Sequence, residues 1–340
     1  MDNIRIPLKS EALTDALQNG YINGRAGWVA QAVDDNHVIF KPVSEGQPHF
    51  MIRLFKSIRA ISLTATLLPA IATALLCLNL GLSIDLFVLT TAVMGVLFLQ
   101  VAVNVFNDVE DYFKLIDLPG SLGGSGVIQS AWFSAKHMQV IAWSALCLAG
   151  LCALPAVLKY PVHILVIALI AGVGVIGYSG QPFRFKYRAL GDVFVFLLCG
   201  PVLTTGIMIA ATGNVHPLMI VLGGYFGFIA CGILNANNLN DINVDVASGS
   251  ITLASVLGFN NARWLQVLYY LAAFVCLIIL SLFIGAWVLL PIILTPVIFR
   301  HIFILFKAQD CDHESLKEIR FDAAKLHLLL SIAVCIGLTI

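Results

Sequence analysis

The sequence predicts an all-α membrane protein, a polytopic bundle of about nine transmembrane helices. Of its 340 residues, 59% are hydrophobic and only 11% are charged, whereas about a quarter of the residues of soluble domains are charged. The apolar residues occur in blocks long enough to cross a bilayer, which takes about 20 residues of helix. The net charge is zero, so no overall field favours binding to nucleic acid. Lipid is therefore the expected solvent for most of the chain.

Nine apolar blocks mark the predicted membrane helices. Several contain glycine or proline, which spanning helices tolerate because neighbouring helices can satisfy the freed backbone groups. The last block is short for a span. The blocks run near residues 58–82, 84–106, 137–157, 161–180, 190–212, 216–238, 264–283, 285–306 and 325–340.

Lysine and arginine residues are distributed unevenly between the loops that join these blocks. If the N-terminus is cytoplasmic, the cytoplasmic side holds nearly all of them, and Lys159 lies on the opposite side. Such an excess marks cytoplasmic loops. The two longest predicted loops lie on the same side, and long loops of compact bundles often carry function. We expect an integral membrane protein, of the inner membrane in a bacterium, with its N-terminus and active site facing the cytoplasm.

Residues 1–50 differ from the rest and are predicted to form a polar cytoplasmic N-terminal extension of a transmembrane domain at 51–340. Within the extension, residues 28–33 and 37–42 are rich in β-formers. They fit either two short strands or an arm that docks on a partner, and the residues alone do not decide. No particular protein partner is indicated.

A first acidic cluster follows the second apolar block. It comprises Asn104, Asn107, Asp108, Asp111 and, beyond the block, Asp117. On a helix, Asp108 and Asp111 project from one face, and Asn104 lies one turn before Asp108. An amide followed by carboxylates is therefore presented at the membrane boundary.

A second cluster repeats this pattern at the end of the sixth block. Asn237 lies one turn before Asp241, with Asn238 next to it, and Asp241 and Asp245 are one helical turn apart. Carboxylates at a membrane boundary repel one another unless a cation joins them. Hard oxygen ligands suit Mg²⁺, which takes one or two carboxylates and completes its shell with water and phosphate oxygens. Either cluster alone fits a solvated helix end, but their coincidence favours a functional site.

The predicted loop between the fourth and fifth blocks adds polar and basic residues on the same side. It begins with Tyr178, Ser179 and Gln181. Three cations within five residues can neutralise a diphosphate, although a positive-inside topology signal also explains their charge. These cations are Arg184, Lys186 and Arg188.

The two clusters together resemble a known family. The spacing from Asn104 through Asp108 and Asp111 to Asp117 is similar to the first aspartate-rich motif of the UbiA superfamily of intramembrane prenyltransferases. The run from Asn238 to Asp245 resembles the second motif. The stretch from residue 178 to 201 looks most like the menaquinone branch, whose members prenylate 1,4-dihydroxy-2-naphthoate.

The resemblance implies a fold and an activity. It implies nine helices and Mg²⁺-dependent transfer of a prenyl group from a polyprenyl diphosphate to an aromatic acceptor in the membrane, 1,4-dihydroxy-2-naphthoate or a related quinone precursor. The residues it assigns to catalysis and to the metal are Asp108, Asp111, Asp241 and Asp245, and Asn104 assists the metal. It also leads us to expect substrate contacts from Asn104, Asn107, Asp117, Tyr178, Ser179, Gln181, Arg184, Lys186, Arg188 and Asn238.

The chain departs from the family pattern at three positions. Val246 and Ser250 stand where the family places basic residues after its second motif, and Ala60 replaces the proline of an Arg-Pro pair. These changes leave open the alternative that the protein is a catalytically silent relative that binds prenyl lipids. A transporter would place charges at mid-membrane depth, and a phospholipid-type phosphotransferase would need an Asp-Gly-x-x-Ala-Arg motif, which both clusters lack.

Overall fold

The N-terminal extension forms a small sheet. The computed structural model describes residues 3–23, 25–34, 36–43, 46–119 and 124–340. A three-stranded antiparallel sheet has the order β1-β5-β4, and a two-stranded ribbon pairs β2 with β3. The sheet shows that residues 28–33 and 37–42 are strands. The elements are β1 (Ile4–Pro7), α1 (Glu11–Asn19), β2 (Tyr21–Ile22), β3 (Arg25–Ala26), β4 (Trp28–Val33) and β5 (His37–Pro42).

This extension has an apolar core, which its polar composition did not suggest. Val38 and Phe40 alternate along β5 and are fully buried. Leu13 and Leu17 of α1 are buried in the same cluster, which continues into the membrane helices. Burying an aliphatic or aromatic side chain contributes about 2 kcal/mol relative to exposure. The extension is therefore packed onto the bundle rather than loosely attached.

Helices form nearly all of the remaining chain, and 3₁₀ turns at residues 60–63, 185–187, 286–294 and 314–316 connect several of them. In chain order the helices are α2 (Phe50–Ser57), α3 (Thr64–Asn79), α4 (Leu86–Phe113), α5 (Ala135–Lys159), α6 (Pro161–Ser179), α7 (Gly191–Cys199), α8 (Pro201–Thr212), α9 (Pro217–Asn240), α10 (Ile242–Ala247), α11 (Leu253–Ile284), α12 (Thr295–Lys307) and α13 (Ile319–Gly337).

The predicted helical membrane bundle is confirmed, with one difference in the count. Within the described residues, eight segments are long and apolar enough to cross a bilayer. The ninth predicted block lies in α13, which begins at Ile319 and carries Arg320, Asp322 and Lys325 in its first two turns. Those charges lower its hydropathy. Its apolar side chains, such as Leu330, pack into the core formed with α9 and α3.

The fifth predicted block is broken in the structure. It divides at Gly200 and Pro201 into α7 and α8, because proline lacks the N–H that a continuous helix needs. The break also lets the chain pass close to α9. A Cβ on Gly200 would lie 2.4 Å from the carbonyl oxygen of Gly223, so only glycine fits there.

The long loop predicted between the sixth and seventh blocks is mostly helical. After α9 ends at Asn240, α10 follows at once, and α11 begins at Leu253. Thr252 caps α11, because its side chain accepts a hydrogen bond from the backbone N–H of Ser255. The second acidic cluster therefore lies at a helix–helix junction.

Candidate active site

A cavity of about 580 Å³ lies where α4 and α9 end. Small and branched side chains of α4, α6 and α8 line its apolar length, among them Val96, Leu99, Ile167, Ala171 and Ile207. Members of both acidic clusters line its polar end: Asn104, Asn107, Asp111, Asp117, Asn238, Asp241 and Asp245. A cavity with one charged end and an apolar remainder suits a ligand with a charged head and an apolar tail.

Asp111, at the polar end, accepts hydrogen bonds on both of its carboxylate oxygens. Its Oδ2 accepts hydrogen bonds from Lys186 Nζ at 2.7 Å and from Asn107 Nδ2 at 2.9 Å, and its Oδ1 accepts one from the hydroxyl of Tyr187 at 2.6 Å. Burial disfavours the ammonium charge, but the carboxylate outweighs it and raises the pKa of Lys186. Lys186 therefore holds a buried positive charge against the first cluster.

Asp108 is not among the residues that line the cavity. Its Oδ1 forms an ion pair with Arg59 Nη2, and its Oδ2 accepts a hydrogen bond from the backbone N–H of Ser125 at 3.1 Å. Burial disfavours the charge of Arg59, but the carboxylate of Asp108 more than compensates and raises the pKa of Arg59. Arg59 itself lines the cavity. Asp108 thus acts on the site through Arg59.

Asn104 is oriented by neighbouring polar groups. Its Nδ2 donates to Ser62 Oγ at 2.9 Å, and its Oδ1 accepts from Gln100 Nε2 at 3.0 Å. Gln100 in turn accepts from the hydroxyl of Thr66. This series of hydrogen bonds joins the start of α3 to α4 and sets the direction of the Asn104 amide.

The second cluster lies across the polar end from the first. Asp241 joins α9 to α10, and its Oδ1 accepts a hydrogen bond from Asn240 Nδ2 at 3.2 Å. Burial raises the pKa of Asp241, although the charge of Arg320 opposes the shift. Burial likewise raises the pKa of Asp245 to about 7, and Lys186 opposes it.

Asp117 completes the acidic lining. Burial, together with the negative charge of Asp111, raises the pKa of Asp117 to about 6. Three carboxyls at this end therefore hold protons more tightly than fully exposed ones: Asp117 and Asp245, which are buried, and Asp241, which is partly buried. A divalent cation among them would remove that penalty.

The donor set fits Mg²⁺ shared with a phosphorylated ligand. Every candidate donor is a hard carboxylate or amide oxygen, as Mg²⁺ prefers. Across the described parts of the chain, no three His, Cys, Asp or Glu side chains meet closely enough to hold a metal by themselves. Mg²⁺ typically uses one or two carboxylates and completes its shell with water and phosphate oxygens. The geometry fits that mode better than a cage made only of protein ligands.

Comparison with known proteins decides the family. Residues 66–329 match the model of the UbiA prenyltransferase family, which is more than half of the chain. The chain belongs to this family. A UbiA homologue from Archaeoglobus fulgidus, solved bound to GPP and Mg²⁺, superposes with a TM-score of 0.58 over 85% of this chain and 100% of that chain at 12% identity. At that identity the likeness shows a shared fold.

Two relatives align over part of their length. UbiA prenyltransferase domain-containing protein 1 of Dictyostelium discoideum is 38% identical over 122 residues, 36% of this chain and 37% of that protein. The 1,4-dihydroxy-2-naphthoate octaprenyltransferase of Escherichia coli is 31% identical over 192 residues, 54% of this chain and 62% of that one. The chain thus spans less than two thirds of either relative.

In this UbiA-family chain, some of the loop residues predicted to contact substrate line the cavity and others do not. Of the residues predicted there, Tyr178 and Lys186 line the cavity. Arg188 is exposed, and Arg184 is half-buried with its charge acting on Glu110 and Lys114. Two polar residues of the same loop also lie outside the cavity lining: Ser179, which is buried, and Gln181, which is exposed.

Several residues of this UbiA-family site carried no assigned role in the sequence analysis. Arg59 lies directly before the first span, and an arginine at the edge of an apolar block is a detectable signal. Tyr187 lies between two basic residues, and no pattern in the sequence marks it as a site residue. Lys317 also lines the cavity, but it lies far along the chain in a segment without a motif.

Proposed function

We propose that this protein is a membrane prenyltransferase that transfers a prenyl group from a polyprenyl diphosphate to an aromatic acceptor, using Mg²⁺. The cavity carries the proposal, because one volume joins two acidic clusters and their cations to a long apolar wall. A diphosphate fits the polar end and a prenyl chain fits the apolar part. The family membership and the GPP- and Mg²⁺-bound homologue support the same assignment.

The acceptor that we propose is 1,4-dihydroxy-2-naphthoate or a related quinone precursor. The name of the Escherichia coli relative supports this class. We also propose that the polar end of the cavity and the N-terminus face the cytoplasm, because basic residues are concentrated on that side. The diphosphate head of the substrate would reach the site from the cytoplasmic side, and its prenyl tail would enter from lipid.

The residues at the polar end would bind and orient the diphosphate. Asp111, Asp241 and Asp245 would hold Mg²⁺ with Asn104, while Asp108 acts through Arg59. An Mg²⁺ ion held by these residues would supply stabilisation of the negative charge on a leaving diphosphate. Lys186, which the carboxylate of Asp111 keeps close to the cluster as a cation, donates hydrogen bonds to phosphate oxygens in the same step.

The rest of the cavity would protect the reacting carbon. As the allylic C–O bond breaks, positive charge develops on that carbon, and water would capture it. The apolar walls exclude water there. Tyr178 lines the cavity near Lys186, and an aromatic face there tolerates the developing charge. The acceptor ring then attacks the carbon, the C–O bond to the diphosphate breaks, and the ring proton passes to the departing diphosphate.

A transfer assay tests the function. Purified protein is incubated with labelled geranylgeranyl or farnesyl diphosphate, Mg²⁺ and 1,4-dihydroxy-2-naphthoate, with and without EDTA. We expect an extractable prenylated naphthoate that EDTA abolishes. Asp241→Asn should remove the activity, and Asp15→Asn, at an exposed aspartate of α1, serves as a matched control. The proposal would be refuted if the wild-type protein formed no product and showed no metal-dependent binding of diphosphate.

A further inference from the structure

The second acidic cluster lacks a cation in its own segment. From Asp241 to Ala262 the chain contains no lysine or arginine, and the next, Arg263, donates to the backbone carbonyls of Phe306 and Ala308. The first cluster, by contrast, is paired with both Arg59 and Lys186. A diphosphate held between the clusters would therefore meet only the cations that precede the second cluster in the chain, Arg59 and Lys186, unless another element supplies more.

Arg320, at the start of α13, is placed to supply that charge. Its side chain is buried, with 8% of the residue exposed. Its charge acts on Asp241 and on Asp117, one from each cluster. Among the described residues it forms no salt bridge, and its Nε is buried without a hydrogen-bond partner. A buried guanidinium with spare donors next to an acidic cavity suits a bound oxyanion.

Apolar packing holds Arg320 in this place. Leu316 and Ile319, on either side of the preceding turn, are fully buried and belong to one cluster with Ala236 and Leu239 of α9. The arginine follows Ile319 directly. Asp241 directly follows α9, so the packing of Leu316 and Ile319 against that helix sets the position of Arg320 relative to Asp241.

A polar contact ties the preceding segment to the second cluster. Asn243 Nδ2, on the helix of Asp245, donates to Asp312 Oδ2 at 2.7 Å. Five residues on, Lys317 lines the cavity with its side chain 64% exposed, and its Nζ lies 3.4 Å from Glu314 Oε1. An exposed pair of this kind is weak, so Lys317 can turn to an incoming anion.

We propose that Lys317 and Arg320 form the second half of the diphosphate-binding site, in addition to Arg59 and Lys186. This rests on the proposed function and extends it to residues outside both motifs. Arg320, buried behind the cavity lining with its charge acting on Asp241 and Asp117, binds one phosphate when the ligand enters, and Lys317, which lines the cavity, binds the other. The two residues replace the basic side chains that the segment after Asp245 lacks.

Binding of inorganic diphosphate with Mg²⁺ to the full-length protein in detergent tests the pair without requiring turnover. Arg320→Gln should raise the Kd for inorganic diphosphate by about 10-fold or more, because a charge-assisted hydrogen bond is lost, and Lys317→Gln by about 3-fold. Arg320→Lys should keep most of the affinity. Lys325→Gln is the control: it lies on α13, is exposed and pairs only locally with Asp322, so its Kd should match wild type.

Kinetics separate this role from a structural one. In Arg320→Gln the KM for prenyl diphosphate should rise while the KM for the acceptor stays at its wild-type value. Wild-type diphosphate affinity in both Arg320→Gln and Lys317→Gln would overturn the inference, whether or not the enzyme transfers prenyl groups. Should Arg320→Gln fail to fold, Lys317→Gln and the charge-reversing Lys317→Glu carry the test, and an unchanged Kd for inorganic diphosphate in both would overturn it equally. An inactive wild type that still binds diphosphate through this pair would refute the transfer reaction alone.

Discussion

Lys186 Nζ lies 2.7 Å from Asp111 Oδ2 and 3.0 Å from Asn107 Oδ1, so one lysine joins the loop after α6 to two successive turns of α4. The side chain is largely buried. An ammonium in this position both neutralises the first acidic cluster and faces the cavity. Of the three loop cations, it alone can do both.

Replacing Lys186 should therefore damage the site far more than replacing its exposed neighbour. Lys186→Gln should lower kcat/KM for prenyl diphosphate by about 100-fold, since charge-assisted hydrogen bonds contribute about 1.5–3 kcal/mol each. Arg188→Gln is the matched control, because Arg188 is exposed and lies outside the cavity lining. Steady-state kinetics measure both. Similar losses in the two variants would show that the loop acts through its total charge.

The Tyr187–Asp111 hydrogen bond should tune the site without being essential. Tyr187→Phe removes one donor, at 2.6 Å, and leaves Lys186 and Asn107 on the carboxylate. We expect kcat to fall by about 10-fold, in line with the lower end of the roughly 1.5–3 kcal/mol of one hydrogen bond to a charged group, because two donors remain on the carboxylate. Turnover assays at saturating Mg²⁺ check this. Complete inactivity would mean that Tyr187 has a chemical role.

Arg59 and Asp108 should be coupled in stability. Arg59→Gln leaves the buried Asp108 carboxylate without its ion-pair partner and should cost about 3–5 kcal/mol. The double variant Arg59→Gln/Asp108→Asn should recover part of that loss, because the uncompensated charge is gone. Thermal unfolding of the four proteins in detergent gives the coupling. Additive losses would contradict a direct interaction.

Activity should not recover in that double variant. Arg59 lines the cavity, and its charge is needed there as well as against Asp108. Prenyl transfer by the double variant is therefore expected to stay as low as in Arg59→Gln. Restored transfer would mean that this ion pair only supports the fold.

The crossing of α7–α8 with α9 should not tolerate a larger residue. In Gly200→Ala the new Cβ would lie 2.4 Å from the Gly223 carbonyl oxygen and 2.5 Å from that of Phe196. Overpacking of this kind costs about 1–3 kcal/mol or more. Gly150→Ala on α5 is the control, since its Cβ meets nothing within 4 Å. On heating, Gly200→Ala should lose its monodisperse species at a lower temperature than wild type, and Gly150→Ala at the same temperature as wild type.

Local patterns in the sequence determined much of this protein. Hydropathy over about 20 residues predicts a spanning helix, so the bundle was predictable. The one-turn spacing within each acidic cluster predicts shared helix faces, since helix periodicity is local. Both clusters do line one cavity, although Asp108 turns toward Arg59 instead.

Tertiary structure alone decided which charges meet. Arg184, Lys186 and Arg188 look alike in the sequence, and only the packing of the loop selects Lys186. Arg320 lies 79 residues beyond Asp241 in numbering, and no local pattern connects them. The burial of Leu316 and Ile319 against α9 brings them together. Side chains distant in sequence meet only through such contacts, because a chain's local preferences carry no information about its distant neighbours.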